Sequence, residues 1–397
     1  MPKRMLLLVA AGEVFGMALW FSATAAAPAI AAEFGLDSAM RAWLTMAVQA
    51  GFVAGTLVTA LTSLADAINA RRLFALGCVF GAVTNAAIAV APGGSTIVAL
   101  RFLTGAALAW VYPPGMKIVA GWFVERRGTA LGIVVGAVTI GSALPHLLNW
   151  LGAGLPWRVL ICSSSILALA GAVIVGSFTA DGPYVSASTP FDRHALRLVL
   201  ASRGTRLAML GYLGHMWELY AMWTWIAAFV AASAAARGLT SSAAGSGVAF
   251  VAIATGAIGC AIAGRWADDW GKARIARWSM FASAACAAVS PLFFAVPIPV
   301  LLVLAVVWGF TVVADSAQFS ALVAEYTPRT HVGTGLTLQT SAGFLLTMVS
   351  VRLVPPITAS VGWQWAFVFL VPGPLLGAWA MKGLLAAPEP SETELSN

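Results

Sequence analysis

GRWADDWGKAR at residues 264–274 and SLADAINARR at residues 63–72 are the stretches from which the fold of this chain can be read. Each places an acid, Asp268 or Asp66, just after an apolar run and follows it within a few residues by cations. Trp266-Ala267-Asp268 repeats Leu64-Ala65-Asp66 about 200 residues later. Three further echoes keep nearly that offset: Gly128-Thr129 with Gly333-Thr334, Pro156-Trp157-Arg158 with Gly362-Trp363-Gln364, and Gly12 with Gly214. The chain therefore reads as one unit used twice.

The residues around these corners say what the unit is made of. Of the 397 residues, 60% are hydrophobic and 9% charged, where a soluble domain carries about 25% charged residues; a soluble fold could not hide so much hydrocarbon. A bilayer core roughly 30 Å thick takes about 20 apolar residues per helical crossing. Such runs fall near 5–30, 41–63, 72–91, 96–119, 129–151, 157–178, 205–232, 241–264, 274–295, 297–323, 333–357 and 363–386, which predicts an all-α integral membrane protein of twelve spans. The connections are too short to hold a soluble domain. Met1 to Arg4 resemble the charged start of a signal peptide, but the apolar run behind them continues to Ile30, so it is read as a retained span. Cys78, Cys162, Cys260 and Cys286 all lie inside apolar runs and are read as buried small hydrophobes.

The longest polar stretch divides the chain into an N-terminal bundle (1–178), a cytoplasmic linker (179–203) and a C-terminal bundle (204–397). The cations alternate by loop. Arg71, Arg72, Arg126, Arg127, Arg193, Arg265, Lys272, Arg274, Arg277 and Arg329 fall on one side, against Arg41, Arg158 and Arg237 on the other. The positive-inside rule converts that bias into a multi-pass protein of the plasma (inner) membrane with both termini cytoplasmic, and it accounts for the net charge of +7 without a nucleic-acid partner.

Residues 264–274 closely resemble the loop signature of the major facilitator superfamily, G-x-L-a-D-r-x-G-r-k. The copy at 63–72 lacks the first glycine and carries Asn69 for the second, a residue that tolerates the left-handed turn. Arg101 and Gly105 match that family's R-x-x-x-G pattern, and Gly132, Gly141 and Pro145 partly match its glycine-proline motif, with Leu144 where a glycine is expected. The resemblance implies two pseudo-symmetric six-helix bundles, a central route between them, and gating roles for Asp66, Arg71, Arg72, Asp268, Lys272 and Arg274. It also implies a part in proton transfer for Arg101.

Ionisable groups inside a span are costly and mark function or a fixed partner. Here they are Glu13, Arg101, Lys117, His146, His215, Glu218 and Asp315, with Arg352 near an end. The repeat sets Glu13 opposite His215, as proton coupling would use; the alternative is a fixed ion pair of Glu13 with Lys117 or Arg101. His215 and Glu218 stand three residues apart on one helix face, in an aromatic run with Trp217 and Tyr220 that is the candidate substrate wall, while Trp223 and Trp225 are read as lipid-belt residues. Asp315, beside Ser316 and Ser320, is a candidate for coupling or substrate contact, and Gln339 a further one. Lys117 lies about 24 Å along the helix from Arg101, too far to grip the same ligand; it can bind an anion or snorkel to the interface.

These readings give a secondary active transporter of a small solute, an organic anion among the candidates, working by alternating access and coupled to protons. The alternative is an exporter of amphipathic drug-like compounds, and a more remote one a non-transporting membrane sensor. The expected partners are solute, protons and lipid, the expected state a monomer, with no cofactor and no enzymatic activity. A nitrate carrier is disfavoured because the second and eighth spans lack inward arginines.

Overall fold

The computed structural model describes residues 1–62, 64–123, 127–184, 196–239, 242–328 and 331–386; of Ala65, Asp66, Arg127 and Ser242 only the backbone is described. Among these residues the regular structure is helical throughout. The N-terminal half contains α1 (Pro2–Met17), α2 (Ser22–Ala25), α3 (Ala27–Phe34), α4 (Ser38–Leu61), α5 (Leu64–Ala67), α6 (Ala70–Ala87), α7 (Gly94–Leu108), α8 (Tyr112–Ala120), α9 (Arg127–Leu151) and α10 (Trp157–Phe178). The C-terminal half contains α11 (Leu196–Ala201), α12 (Arg203–Ala236), α13 (Ser242–Trp270), α14 (Lys272–Val289), α15 (Ile298–Ala314), α16 (Ser316–Tyr326), α17 (Val332–Val361) and α18 (Pro372–Leu385). Of the loop cations named above, Arg126, Arg193 and Arg329 lie outside the described residues.

Ten helical stretches are long and apolar enough to cross a membrane. The two other spans expected from the sequence fall short of that mark for different reasons. The first is divided among α1, α2 and α3. The ninth is α14, whose 18 residues carry Lys272, Arg274 and Arg277 in the first turns, too much charge for an apolar crossing.

Helix ends follow ordinary capping chemistry. Asp37 accepts a hydrogen bond from the Met40 amide at 2.7 Å and starts α4, Ser202 caps α12 through the Thr205 amide, and Gly35 closes α3 in the left-handed region. The two repeated corners use different devices. Gly271 turns into α14 with φ 88°, a conformation glycine adopts without strain. Asn69 does not copy it, contrary to the sequence reading: it lies at φ −52°, ψ 132° and caps α6 by accepting from the Arg71 amide. A polar side chain at the N-cap replaces the positive-φ turn.

In both halves, helices approach through glycines, which let backbones meet where there is no side chain. A Cβ on Gly105 of α7 would overlap the Val48 carbonyl of α4, and one on Gly309 of α15 would overlap the Ala252 carbonyl of α13. Gly55 against Ala106 and Gly259 against Phe310 make the reciprocal contacts. Residue for residue, the two contacts of the N-terminal half recur in the C-terminal half at an offset of 204, so the duplication seen in the sequence is also a duplication of packing. Because the obstructing atoms are backbone, Gly309→Ala is expected to push α13 and α15 apart and to lower stability by about 1–3 kcal/mol, read as a fall in apparent melting temperature of the detergent-purified protein.

Within the N-terminal half α1 packs on α8, α9 and α10, and α4 on α7; within the C-terminal half α12 packs on α17 and α18, and α13 on α15. Between the halves, α9 lies along α13 and α4 along α17. The α9–α13 seam is fixed at the end away from the linker by Asn149 Nδ2 donating to Ser246 Oγ at 2.7 Å, and by Trp150 lying against Gly247.

At that same end, beyond the first apolar run, Glu33 accepts from Trp157 Nε1 at 2.7 Å and from Arg158 Nη1 and Nη2 at 2.9 and 2.5 Å. These bonds, to Arg158 first and then Trp157, hold its carboxyl at about 2, below the ordinary 4.5. A depressed folded-state value contributes stability above the unfolded value and loses it as pH falls. The melting-temperature difference between the natural protein and Glu33→Gln is therefore expected to be constant above about pH 5 and to vanish as pH approaches 2.

Candidate functional site

The centre of the molecule is organised by a break in the first span. After Met17 the α-helical ladder stops, and the chain runs through Ala18–Phe21 before α2 resumes. A helix broken in an apolar setting leaves carbonyls without amide partners. Arg101 of α7 supplies them. Its Nη1 donates to the Leu19 carbonyl at 2.8 Å and its Nη2 to that of Trp20, while Nε reaches the Leu44 carbonyl on α4 at 3.0 Å. Ser22 and Asn85 complete the set, and Asn85 is itself held by the Ile161 carbonyl and Ser165 of α10. Arg101 is fully buried, and the acceptors around it are neutral.

The break points Trp20 and Phe21 at the opposite half. Trp20 lies 5.2 Å from Phe52 of α4, 5.7 Å from Tyr220 of α12 and 5.4 Å from Phe344 of α17, ring centre to ring centre. Phe21 lies 5.9 Å from Trp223 and 6.2 Å from both Tyr220 and His146. The cluster thus draws rings from both halves. Trp223 and Trp225, read from the sequence as lipid-belt residues, are instead 3% and 5% exposed; α12 is covered on several sides by α13, α16, α17 and α18. Trp225 donates to the Val351 carbonyl at 3.0 Å.

The intramembrane acids fall into three settings. Glu13 of α1 is fully buried, and neither carboxylate oxygen has a hydrogen-bond partner. Neither Arg101 nor Lys117 bonds it. Its carboxylate occupies the space that Gly115 of α8 leaves without a Cβ, with Tyr112 and Cys78 in electrostatic reach. Asp315 stands at the break between α15 and α16, and its Oδ1 is 2.8 Å from His215 Nδ1. The approach lies off the ring N–H axis, so the pair is a close polar contact and not an aligned hydrogen bond. Glu218 points elsewhere: Oε1 accepts from Trp308 Nε1 at 2.6 Å and Oε2 from Ser283, tying α12 to α15 and α14.

Titratable groups also stand near the first two settings. Tyr112 feels Glu13 on one side and lies in electrostatic reach of Tyr212 and Cys260 on the other. The Tyr212 ring is 6.0 Å from His215, and Cys260 is in reach of Asp315. Glu13 and Tyr112 thus belong to the N-terminal half, and Tyr212, His215 and Asp315, in contact through the His215 ring, to the C-terminal half.

The remaining residues singled out in the sequence are scattered. Trp217 packs edge-on to Phe369 at 5.9 Å and donates to its carbonyl, beside Gly373 of α18. Gln339 is buried with its amide unpartnered, and Lys117 lies in the last turn of α8. Arg71 donates to the Thr179 carbonyl at 3.0 Å, and Lys272 pairs with Glu325 at 2.7 Å; both ties stay within one half. Arg72 and Arg274 are exposed. Asp268 instead reaches across, its Oδ1 lying 4.0 Å from where a Cβ on Gly128 would stand, near the start of α9. The Asp66 side chain lies outside the described residues. Sequence reasoning missed Trp20, Phe52 and Phe344, which look like ordinary apolar positions, and Ser22 and Asn85, whose signal was polarity inside an apolar run.

Known proteins bear on this arrangement. A family model described as Major Facilitator Superfamily matches residues 9–243 and 219–397. The chain is similar to the 3-(3-hydroxy-phenyl)propionate transporter of Escherichia coli K12, at 29% identity over 145 residues, which is 36% of each protein. It is also similar to the puromycin resistance protein pur8 of Streptomyces alboniger, at 31% over 157 residues (38% of this chain and 29% of that one). The multidrug efflux pump LfrA of Mycolicibacterium smegmatis is 31% identical over 121 residues (30% and 24%). The matched region thus spans about a third or less of these relatives. A crystal structure of a mutant of the nucleoside transporter NupG superposes with a TM-score of 0.72 at 14% identity, covering 96% of this chain and 99% of that one. At that identity the likeness speaks for the fold alone.

Proposed function

The chain belongs to the major facilitator superfamily, and from that premise we propose that it is a proton-coupled secondary active transporter of a small aromatic or amphipathic solute. Twelve spans form two six-helix bundles, 1–178 and 204–397, joined by a cytoplasmic linker. The bundles rock about a central route, with both termini in the cytoplasm. The glycine contacts repeating at an offset of 204 support the pseudo-twofold relation this requires.

The observation that carries the reading is the pairing of a buried, unpartnered Glu13 in one half with the buried His215–Asp315 contact in the other. Acids in a membrane interior are expensive unless they face a partner or water; here Glu13 stands unpartnered in one half and Asp315 has the His215 ring beside it in the other. Glu13 and Asp315 are assigned to proton binding and His215 to relaying it. Tyr220, with Gln339 further along α17, contacts solute. Glu218 and Trp217, engaged with α14, α15 and α18, act as structural ties, and Arg101 acts by holding the broken first span. Asp268, against the start of α9, gates the linker end, with Arg71, Arg72, Lys272 and Arg274 shaping the corners. Lys117 stays a candidate anion contact.

Whether the cargo is an organic acid taken up or a drug expelled is a choice between two relatives' chemistries. Proteoliposomes test both, with radiolabelled 3-(3-hydroxyphenyl)propionate and puromycin as first probes. Accumulation of either that follows an imposed pH gradient and collapses with a protonophore is the expected result. Uptake of a probe that ignores the gradient would remove the coupling.

A further inference from the structure

We infer that the aromatic cluster between the halves is a binding site for a flat aromatic solute carrying oxygen acceptors at its rim, an aromatic carboxylate being the simplest member of the class. The inference rests on the transport reading and adds what the carrier selects.

Trp20, Phe21 and Phe52 come from the N-terminal half, and Tyr220, Trp223 and Phe344 from the C-terminal half. Their ring centres lie 4.8–6.2 Å apart. That is the spacing at which aromatic rings attract beyond simple burial. A cluster drawn from two moving bodies loses its own contacts when they part, and a flat ring entering the gap restores them. A saturated ring of the same size cannot, because it lacks the polarised face and edge.

Rings alone would also serve as a closing plug. What separates a site from a plug is the polar inventory. The indole N–H groups of Trp20 and Trp223 are buried without any acceptor, and both ring nitrogens of His146, against Phe21, are without partners. Other buried indoles in the molecule are satisfied: Trp225 by the Val351 carbonyl and Trp308 by Glu218. Buried donors are nearly always paired, so a plug built for closure alone would not leave both cluster indoles unsatisfied. A ligand supplying acceptors satisfies them. The donors also define its polarity, for an indole donates and cannot accept. The Arg101 guanidinium, bonded to the Trp20 carbonyl, places positive potential beside the site, whereas Glu218 is engaged with Ser283 and Trp308, Asp315 with His215, and Glu13 stands away in the space beside Gly115.

The test is equilibrium binding to the full-length, detergent-purified protein without a proton gradient, so that it is independent of coupling. The probe is 3-phenylpropionate and the comparison 3-cyclohexylpropionate. The natural protein is expected to bind the aromatic probe at least about tenfold more tightly than the saturated one, a difference of about 1.4 kcal/mol. Trp20→Phe and Trp223→Phe keep a ring and remove the N–H; each is expected to weaken the aromatic probe by about tenfold, in line with the loss of one buried hydrogen bond. Trp225→Phe, whose N–H is already bonded outside the cluster, is expected to leave affinity unchanged, and the unliganded melting temperatures of the three variants check that they fold. Equal binding of both probes, or unchanged affinity in Trp20→Phe and Trp223→Phe, would mean the cluster is a gate only and would overturn the inference. Either result leaves the pH-gradient experiment free to succeed, and uncoupled flux with intact ring selectivity would leave this site standing.

Discussion

Replacing Arg101 by alanine is expected to destabilise the protein by about 2–3 kcal/mol, enough to lower the yield of folded, monodisperse material from a detergent extract. The physical reason is local. The Trp20 carbonyl has Arg101 as its donor, and a buried acceptor left unmatched costs about 1–3 kcal/mol; the Leu19 carbonyl, which also accepts from Ser22, and the Leu44 carbonyl, inside α4, lose a second donor each, and release from burying the cation itself offsets part of the sum. Arg101→Met retains the aliphatic stem and is expected to be nearly as damaging as alanine, since the loss lies in the donors. Arg101→Lys brings one charge without the planar fork that reaches three carbonyls at once and is expected to fall in between. A coupling role alone predicts the opposite pattern: normal melting behaviour in all three variants with gradient-driven transport lost.

The second large effect is expected from Asp315→Asn. One proton moving with the solute can support about tenfold accumulation per pH unit, since 1.4 kcal/mol is a factor of ten in an equilibrium constant. Under a gradient of about two units, the natural protein is therefore expected to accumulate its solute roughly a hundredfold, and Asp315→Asn to bring the ratio to about one. Asn fits the space beside His215 but does not titrate, so exchange of labelled for unlabelled solute, which needs no net proton movement, is expected to survive. Glu218→Gln serves as the contrast. Its partners are Ser283 and Trp308, so the expected loss is in stability, with accumulation retained. Should Glu218→Gln abolish accumulation and Asp315→Asn leave it intact, the assignment of the proton site would be reversed.

The large features of the fold were open to reading because they follow from patterns that repeat. Apolar runs of bilayer length and the acid-bearing corners at Asp66 and Asp268 gave the duplication, and the glycine contacts at an offset of 204 reproduce it in packing. Finer features depended on geometry that a linear pattern does not carry. His215 and Glu218 share a helix face in sequence, yet residues three apart are still separated by about 60° around the axis. That was enough to send one to the α15–α16 break and the other to Ser283 and Trp308. Trp223 and Trp225 looked like belt residues because they lie toward one end of a long apolar helix, but α12, 34 residues long, is packed against several neighbours. The role of Arg101 was hidden for a third reason. Two of its acceptors, the Leu19 and Trp20 carbonyls, lie in a helix break, and no side-chain pattern around Trp20 announces that break. Asn69, likewise, solved its corner by capping a helix where the resemblance suggested a left-handed turn.

The buried acids and the ring cluster are expected to lie in a passage reached alternately from both faces of the membrane. Gln339→Cys, in a background lacking the four native cysteines, tests it directly when treated with a membrane-impermeant thiol reagent in right-side-out and in inside-out vesicles. Labelling from both sides, slowed by a bound solute in each case, is the expected result. Labelling from one side only, or from neither, under conditions where transport is measured in the same vesicles, would contradict alternating access through this interface.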